Sequence, residues 1–200
     1  MTKERAMQLM NNEESNLKVC VGSWKQYNEC GKFGLGSYYN GTFYIDFVEL
    51  EGSEELKDLL SFIGWSEADM EETFVQDYES EYVTIENCDN QCCFMLADLI
   101  YENRNTFEDE DELKKLSAII QCVGLTMENA LEEIDNYDLW RGTAEEYEEQ
   151  LFYDCISKEM AELLDSNSYI TIDFERMARD DEWIIDEIDF DYVTYTLTQR

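Results

Sequence analysis

Apolar and polar positions alternate over Leu17-Lys18-Val19-Cys20-Val21, the period of a half-buried strand. Asn28 to Gly41 carries Gly31, Gly34, Gly36 and Gly41, which predicts a loop or tight hairpin. Phe43 to Leu50 (FYIDFVEL) predicts a second strand. Ser53 then stands where a helix cap is expected, before Leu56, Leu59, Leu60 and Ile63 at helical spacing. The opposite face of that helix carries Glu54, Glu55 and Asp58. A second acidic stretch, with Glu67, Asp69, Glu71 and Glu72, leads into a short strand over Phe74 to Glu79. Residues 1–16 are polar and predict a flexible lead segment.

The middle of the chain changes period. Phe94, Leu96, Leu99 and Ile100 predict a helix from about Asp89 to Glu102. The run Glu108-Asp109-Glu110-Asp111-Glu112 precedes another over Leu113 to Val123. A third spans Thr126 to Asn136, with Met127, Ala130, Leu131 and Ile134 on one face and Glu128, Glu132, Glu133 and Asp135 off it. Tyr137 to Trp140 predicts a strand. Thr143-Ala144-Glu145-Glu146 has the spacing of a capping box, in which threonine and glutamate satisfy each other's backbone amides. The pattern carries the helix it opens through Tyr147, Leu151, Phe152, Cys155, Ile156, Met160 and Leu163, with Glu145, Glu146, Glu148, Glu149, Glu159 and Glu162 facing out. Trp183 to Ile188 and Phe190 to Leu197 predict a closing hairpin. The fold class is therefore α+β.

Charge changes this picture more than any single element does. The chain has 48 acids, 14 bases and a net charge of -34. Such charge is common in disordered chains, yet Leu, Ile, Val and Phe together exceed the roughly 20% below which a charged chain stays unfolded. Aromatic residues add 14%. A folded, soluble protein with an acidic surface is expected. The charge is -1 over residues 1–16, -9 over 17–80, -11 over 81–143 and -13 over 144–200, so no acidic tail accounts for it. Nucleic acid and anionic membrane are excluded as ligands by their need for Lys and Arg, and a basic partner is favoured. Solubility or salt adaptation would use the same charge.

Several chemistries lack their residues. Without histidine there is no Ser-His-Asp triad, HExxH site or imidazole metal ligand. Neither a GxxxxGK[ST] loop nor a dinucleotide fingerprint is present. The run Glu108 to Glu112 lacks the central glycine and terminal spacing of a calcium loop. Cys88, Cys92 and Cys93 do not form paired CxxC knuckles, and the seven cysteines, an odd number, are expected as cytosolic thiols. No run of about 18 apolar residues is found. No catalytic residue, cofactor or metal is expected; paired carboxylates are too frequent here to single out an enzyme.

The acids themselves are the remaining candidates. Acids three or four apart on a helix have Cβ atoms roughly 5–6 Å apart. Duplex DNA carries one charge per about 1.7 Å, so the net charge corresponds to roughly 58 Å of duplex. The candidate phosphate-mimicking contacts are the acids of the four faces named above, together with the 108–112 run. Two functions share this chemistry: a protein imitation of DNA, and an acidic inhibitor or adaptor for some other basic DNA-binding or defence protein.

Short motifs in order favour the first. Val19 to Gly36 reads VCVGSWKQYNECGKFGLG, with Tyr27, Asn28 and Glu29, then Leu35, Gly36 and Tyr38. Phe74 to Glu79 reads FVQDYE; Ala130-Leu131-Glu132-Glu133, Tyr169-Ile170, Asp173-Phe174-Glu175 and Ala178-Arg179-Asp180 follow. The series resembles the ArdA antirestriction family over about residues 17–197. Cys30 stands near the family's glycine, Tyr38 replaces its usual tryptophan, Thr171 and Ile172 interrupt the Tyr-Ile-Asp segment, and Cys88 to Gly124 matches poorly. The resemblance implies an elongated chain of three small domains: α/β over 17–80 after a flexible 1–16, mostly helical over 81–136, and α/β over 137–200. It also implies a homodimer, acting in the host bacterial cytoplasm. Such a protein occupies the DNA-binding groove of a Type I restriction-modification enzyme and protects incoming mobile-element or phage DNA. A dimer would carry a charge matching roughly 116 Å of duplex.

Overall fold

Helices and two small antiparallel sheets make up the computed structural model, an α+β protein. It describes residues 1–30, 44–85 and 92–200, with Glu29 and Cys30 by backbone alone. The glycine-rich segment 31–41, Leu35, Gly36, Tyr38, Phe43, Cys88 and the start of the helix predicted from Asp89 lie outside these residues. The described chain forms two compact units, Met1–Leu113 and Lys114–Arg200, dividing within the segment 81–136.

The first unit opens with α1 (Lys3–Asn11), where a flexible segment was expected. Thr2 caps it, and Ala6 and Leu9 are fully buried, so two apolar positions suffice to dock an otherwise polar helix. Strand β1 (Lys18–Ser23) follows, then α2 (Trp24–Cys30) and β2 (Ile45–Asp46). The predicted second strand stops after two residues because Asp46 ends it. Its buried carboxylate accepts from the amides of Val48 and Glu49, both at 3.0 Å, and from Asn12 and Ser15, both at 2.6 Å. Those bonds turn the chain and satisfy a polar group that would otherwise be costly to bury.

Helix α3 (Ser53–Phe62) lies one residue off its expected cap. Gly52, at φ 80°, is the N-cap, and the amide of Ser53 is satisfied by Asp98 at 2.7 Å instead of by a serine side chain. Helix α4 (Glu67–Met70) and β3 (Thr73–Glu79) complete the sheet, whose order is β2-β1-β3. Five of the six residues of the central β1 are buried. Gly22 pairs with Phe74, and a Cβ there would stand 2.7 Å from Phe74 Cε1. The missing side chain lets the Phe74 ring lie over β1 and stack on Trp24 at 4.3 Å. Helices α5 (Cys93–Glu102), α6 (Arg104–Glu108) and the start of α7 (Glu110–Ala118) follow. The acidic run thus divides between the end of α6 and the first turn of α7, where negative charge suits the helix dipole.

The second unit continues α7 into a π-turn over Ile119–Val123, closed by left-handed Gly124. Helix α8 (Met127–Glu133) is capped by Thr126 and ends in a 3₁₀ turn. Strands β4 (Tyr137–Arg141), β5 (Ile184–Phe190) and β6 (Val193–Gln199) form a sheet ordered β4-β6-β5. The predicted hairpin is β5-β6. Its two turn residues, Asp191 and Tyr192, both have positive φ. The capping box is present: Thr143 accepts from the Glu146 amide, and Glu146 accepts from the Thr143 amide at 3.0 Å.

The long helix expected after it is two helices. Helix α9 (Ala144–Cys155) ends at extended Ile156, and Ser157 caps a separate α10 (Lys158–Asp165). The continuous apolar spacing carried no stop signal except that serine. Helix α11 (Phe174–Asp180), capped by Asp173, packs on α9. Phe174 meets Phe152 edge-on at 5.7 Å.

Candidate functional site

Of the candidate acids, Glu54 and Asp58 project from α3 as expected, exposed and without a side-chain partner among the described residues. Glu55 does not belong with them. Arg5 of α1 forks onto its carboxylate at 2.8 and 3.0 Å and also reaches the Glu49 carbonyl at 2.7 Å. The Arg5 bond holds the Glu55 carboxyl below the usual carboxylate range. A group so depressed stabilises the fold above its unfolded pKa and loses that contribution as pH falls through its folded pKa. Arg5→Met is expected to cost about 2 kcal/mol near neutral pH, because it strips a charge-assisted pair and orphans a carbonyl. Denaturant titrations of both proteins should show the difference shrinking as pH falls below about 4.

Around α4, Glu67, Glu71 and Glu72 are exposed and unpaired among the described residues, whereas Asp69 is half-buried. Asp69 completes a capping box with Ser66 and meets Lys25 at 3.3 Å. Burial works against its charge, but the Ser66 and Lys25 bonds outweigh it and hold the carboxyl below its ordinary value. In the 108–112 run, Glu108, Asp109, Glu110 and Asp111 are exposed and Glu112 is half-buried. Asp109 accepts from the amides of Asp111 and Glu112, Glu110 accepts from the Tyr82 hydroxyl at 3.3 Å, and Glu108 faces Arg104 at 3.9 Å. Part of this run therefore caps and braces its own helix.

In the second unit, Glu128, Glu132, Glu133 and Asp135 are all exposed, with no side-chain hydrogen bond or ion pair among the described residues. The same holds for Glu145 and Glu149 on α9. Glu146 is exposed but serves the capping box. Glu159 is exposed, and Glu162 is exposed beside Lys158 at 4.0 Å.

Glu148 overturns its expected outward position. It is 5% exposed, whereas Leu151, expected on the inner face, is 43% exposed. Helix α11 packs on α9, with Phe174 against Phe152 and with Arg176 and Met177 beside Glu148, so Glu148 lies on the covered side. Burial first, then the hydrogen bond and charge of Asp181, push the Glu148 carboxyl up to about 7. Glu148 shares a side-chain hydrogen bond with Asp181, while its Oε1 is buried with no partner among the described residues. A deeply placed oxygen without a donor costs on the order of 1–3 kcal/mol.

Other exposed acids lie outside the candidate contacts. Asp173, Glu175 and Asp180 of the α11 region, and Asp186, Glu187 and Asp189 of β5, are exposed. The run Asp180-Asp181-Glu182 after an amphipathic stretch was the available signal. Glu187 accepts from the Ala144 amide at 2.6 Å, at the mouth of a depression of about 600 Å³ lined also by Glu145, Glu175 and Arg179.

The motif residues divide between buried and exposed positions. Phe74 and Val75 are buried in β3, and Ala130 and Leu131 face inward on α8. Tyr169 is 97% exposed. Among the described residues no cluster of three Cys, Asp or Glu side chains could hold a metal, and Cys92, Cys93, Cys122 and Cys155 are free thiols. No helix of the described chain is long and apolar enough to cross a membrane. Compared with protein-family models and with curated proteins, the chain matches none of them.

Proposed function

We propose that this protein is a non-catalytic DNA mimic of the ArdA antirestriction type. In this reading it occupies the DNA-binding groove of a Type I restriction-modification enzyme and so protects incoming mobile-element or phage DNA in a bacterial cytoplasm. It acts as a homodimer, without cofactor or nucleic acid. The observation that carries the reading is the spread of exposed, unpaired carboxylates over helices of both units: Glu54 and Asp58 on α3, Glu67 on α4, Glu128, Glu132 and Glu133 on α8, Glu145 and Glu149 on α9. An acid bonded to nothing in its own protein keeps its full charge for a partner. Helical spacing sets such acids at phosphate-like intervals. The ordered motifs from Tyr27 to Asp180 add the family resemblance.

The test is a titration of the protein into a Type I methyltransferase core holding a labelled duplex, at several salt concentrations. Displacement near one equivalent, weakening as salt rises from 50 to 200 mM, is expected. No displacement at low salt from any of several such enzymes would redirect the acids to another basic DNA-binding or defence protein.

A further inference from the structure

Between α9 and α11 lies an open surface depression of about 530 Å³, lined by Glu148, Leu151, Asp173, Arg176, Met177, Asp180 and Asp181. Four of its seven lining residues are carboxylic acids, and the sole base, Arg176, leans on Asp180 at 3.5 Å. Glu148 is more than nine-tenths buried, and its Oε1 lacks any hydrogen-bond donor. A buried carboxyl oxygen left unpaired beside a depression lined by three further acids is an acceptor without a donor.

We infer that this depression receives an arginine side chain of the basic partner, its guanidinium bonding Glu148 and Asp181 and its stem lying on Leu151 and Met177. The inference rests on the proposed reading that the partner is a basic protein. A metal ion is disfavoured because no described cluster has ligands arranged for one. A planar guanidinium offers donors in a fork that suits two adjacent carboxyls better than a compact ammonium does. The aliphatic stem matches the half-exposed Leu151 and Met177, as arginine stems cover apolar surface elsewhere.

Occupation is coupled to a proton. Burial and Asp181 push the free Glu148 carboxyl up to about 7. When the guanidinium arrives, that proton leaves to water and the carboxylate accepts in its place. The groups around Glu148 are Arg176 and Asp180 of α11, Asp173 and Asp181 at its two ends, and Tyr147 and Glu149 on α9; Thr198 of β6 bonds Tyr147. Burial, then Asp181, raises the Tyr147 hydroxyl above its ordinary value, so it stays neutral through this window.

The experiment uses the full chain and Nα-acetyl-arginine amide as probe, followed by amide NMR shifts. Saturable shifts centred on Leu151 and Met177 are expected. Affinity should rise about thirtyfold from pH 5.5 to pH 8, as follows when one carboxyl titrating near 7 must be ionised. Glu148→Gln should weaken binding at least about tenfold, and Glu149→Gln, the same charge change on the exposed face, less than about twofold. Equal losses in the two variants, shifts spread over every acidic helix, a flat pH profile in the unsubstituted protein, or equal binding of Nα-acetyl-lysine amide would overturn the inference. The pH profile needs no variant, so a Glu148→Gln protein that failed to fold would not remove the test. No restriction enzyme is present in this titration, so its failure is separate from failure to displace DNA.

Discussion

Replacing Glu128, Glu132, Glu133 and Asp135 together by Gln or Asn is expected to weaken displacement of DNA from the restriction enzyme by on the order of a hundredfold, while each single change costs only about two- to fivefold. The four side chains are exposed and bonded to no side chain or backbone group of the described protein. Each therefore contributes through its charge alone, at a few tenths to about one kcal/mol in a high-dielectric setting. Four such terms, acting in one field, reach about 3 kcal/mol. The fold should not suffer, because these acids repel one another and their neutralisation relieves that repulsion. Thermal unfolding of the quadruple variant should match or exceed that of the parent. The competition assay at fixed salt reads the effect, and the loss should shrink as salt rises. If a single substitution among the four abolished displacement, a distributed mimic would give way to a specific acid with a discrete task.

Phe47→Ala is expected to destabilise the first unit by about 3–5 kcal/mol, out of the roughly 5–15 kcal/mol typical of a whole domain. Phe47 is fully buried, and its amide donates to the Leu17 carbonyl at 3.1 Å. The turn that carries it is braced on both sides. Asp46 holds the following amides, and Arg104 donates to the carbonyls of Val48 at 2.8 Å and Leu50 at 2.7 Å. A backbone tied down this way cannot close over the space a phenyl ring leaves, so the cavity persists and the cost falls at the upper end. Denaturant unfolding followed by a probe in the first unit measures it. Phe47→Leu, which fills most of the volume, should cost less than about 1.5 kcal/mol. A loss below about 1 kcal/mol for the alanine variant would show that the turn collapses after all.

Both expectations concern parts of the chain that differ in how far they can be read from residues alone. The α8 acids were legible. Their spacing around Met127, Ala130 and Leu131 places them off the buried face, and all four stay exposed among the described residues. The capping box at Thr143 and the closing hairpin were legible for the same reason, since the atoms that satisfy each other lie three residues apart or in adjoining strands.

Where a distant residue decides, local pattern loses. Asp46 ends β2 because Asn12 and Ser15, some thirty residues earlier, join two local amides on its carboxylate. Ser53 is no cap because Asp98 already fills that role. Residues 3–11 form a docked helix because two small contacts, Ala6 and Leu9, find a cover that their own neighbours do not reveal.

Charge, the α+β pattern, the acidic faces of α3 and α8 and the absence of imidazole chemistry followed from the sequence itself, because composition and short-range periodicity need no partner to act. Which acids stay free was decided by tertiary structure. Arg5 claims Glu55, Ser66 and Lys25 claim Asp69, and α11 buries Glu148 against Asp181. The physical reason is the same in each case: a carboxylate's charge is set by its solvent exposure and by donors within about 3 Å, and folding alone brings those donors there.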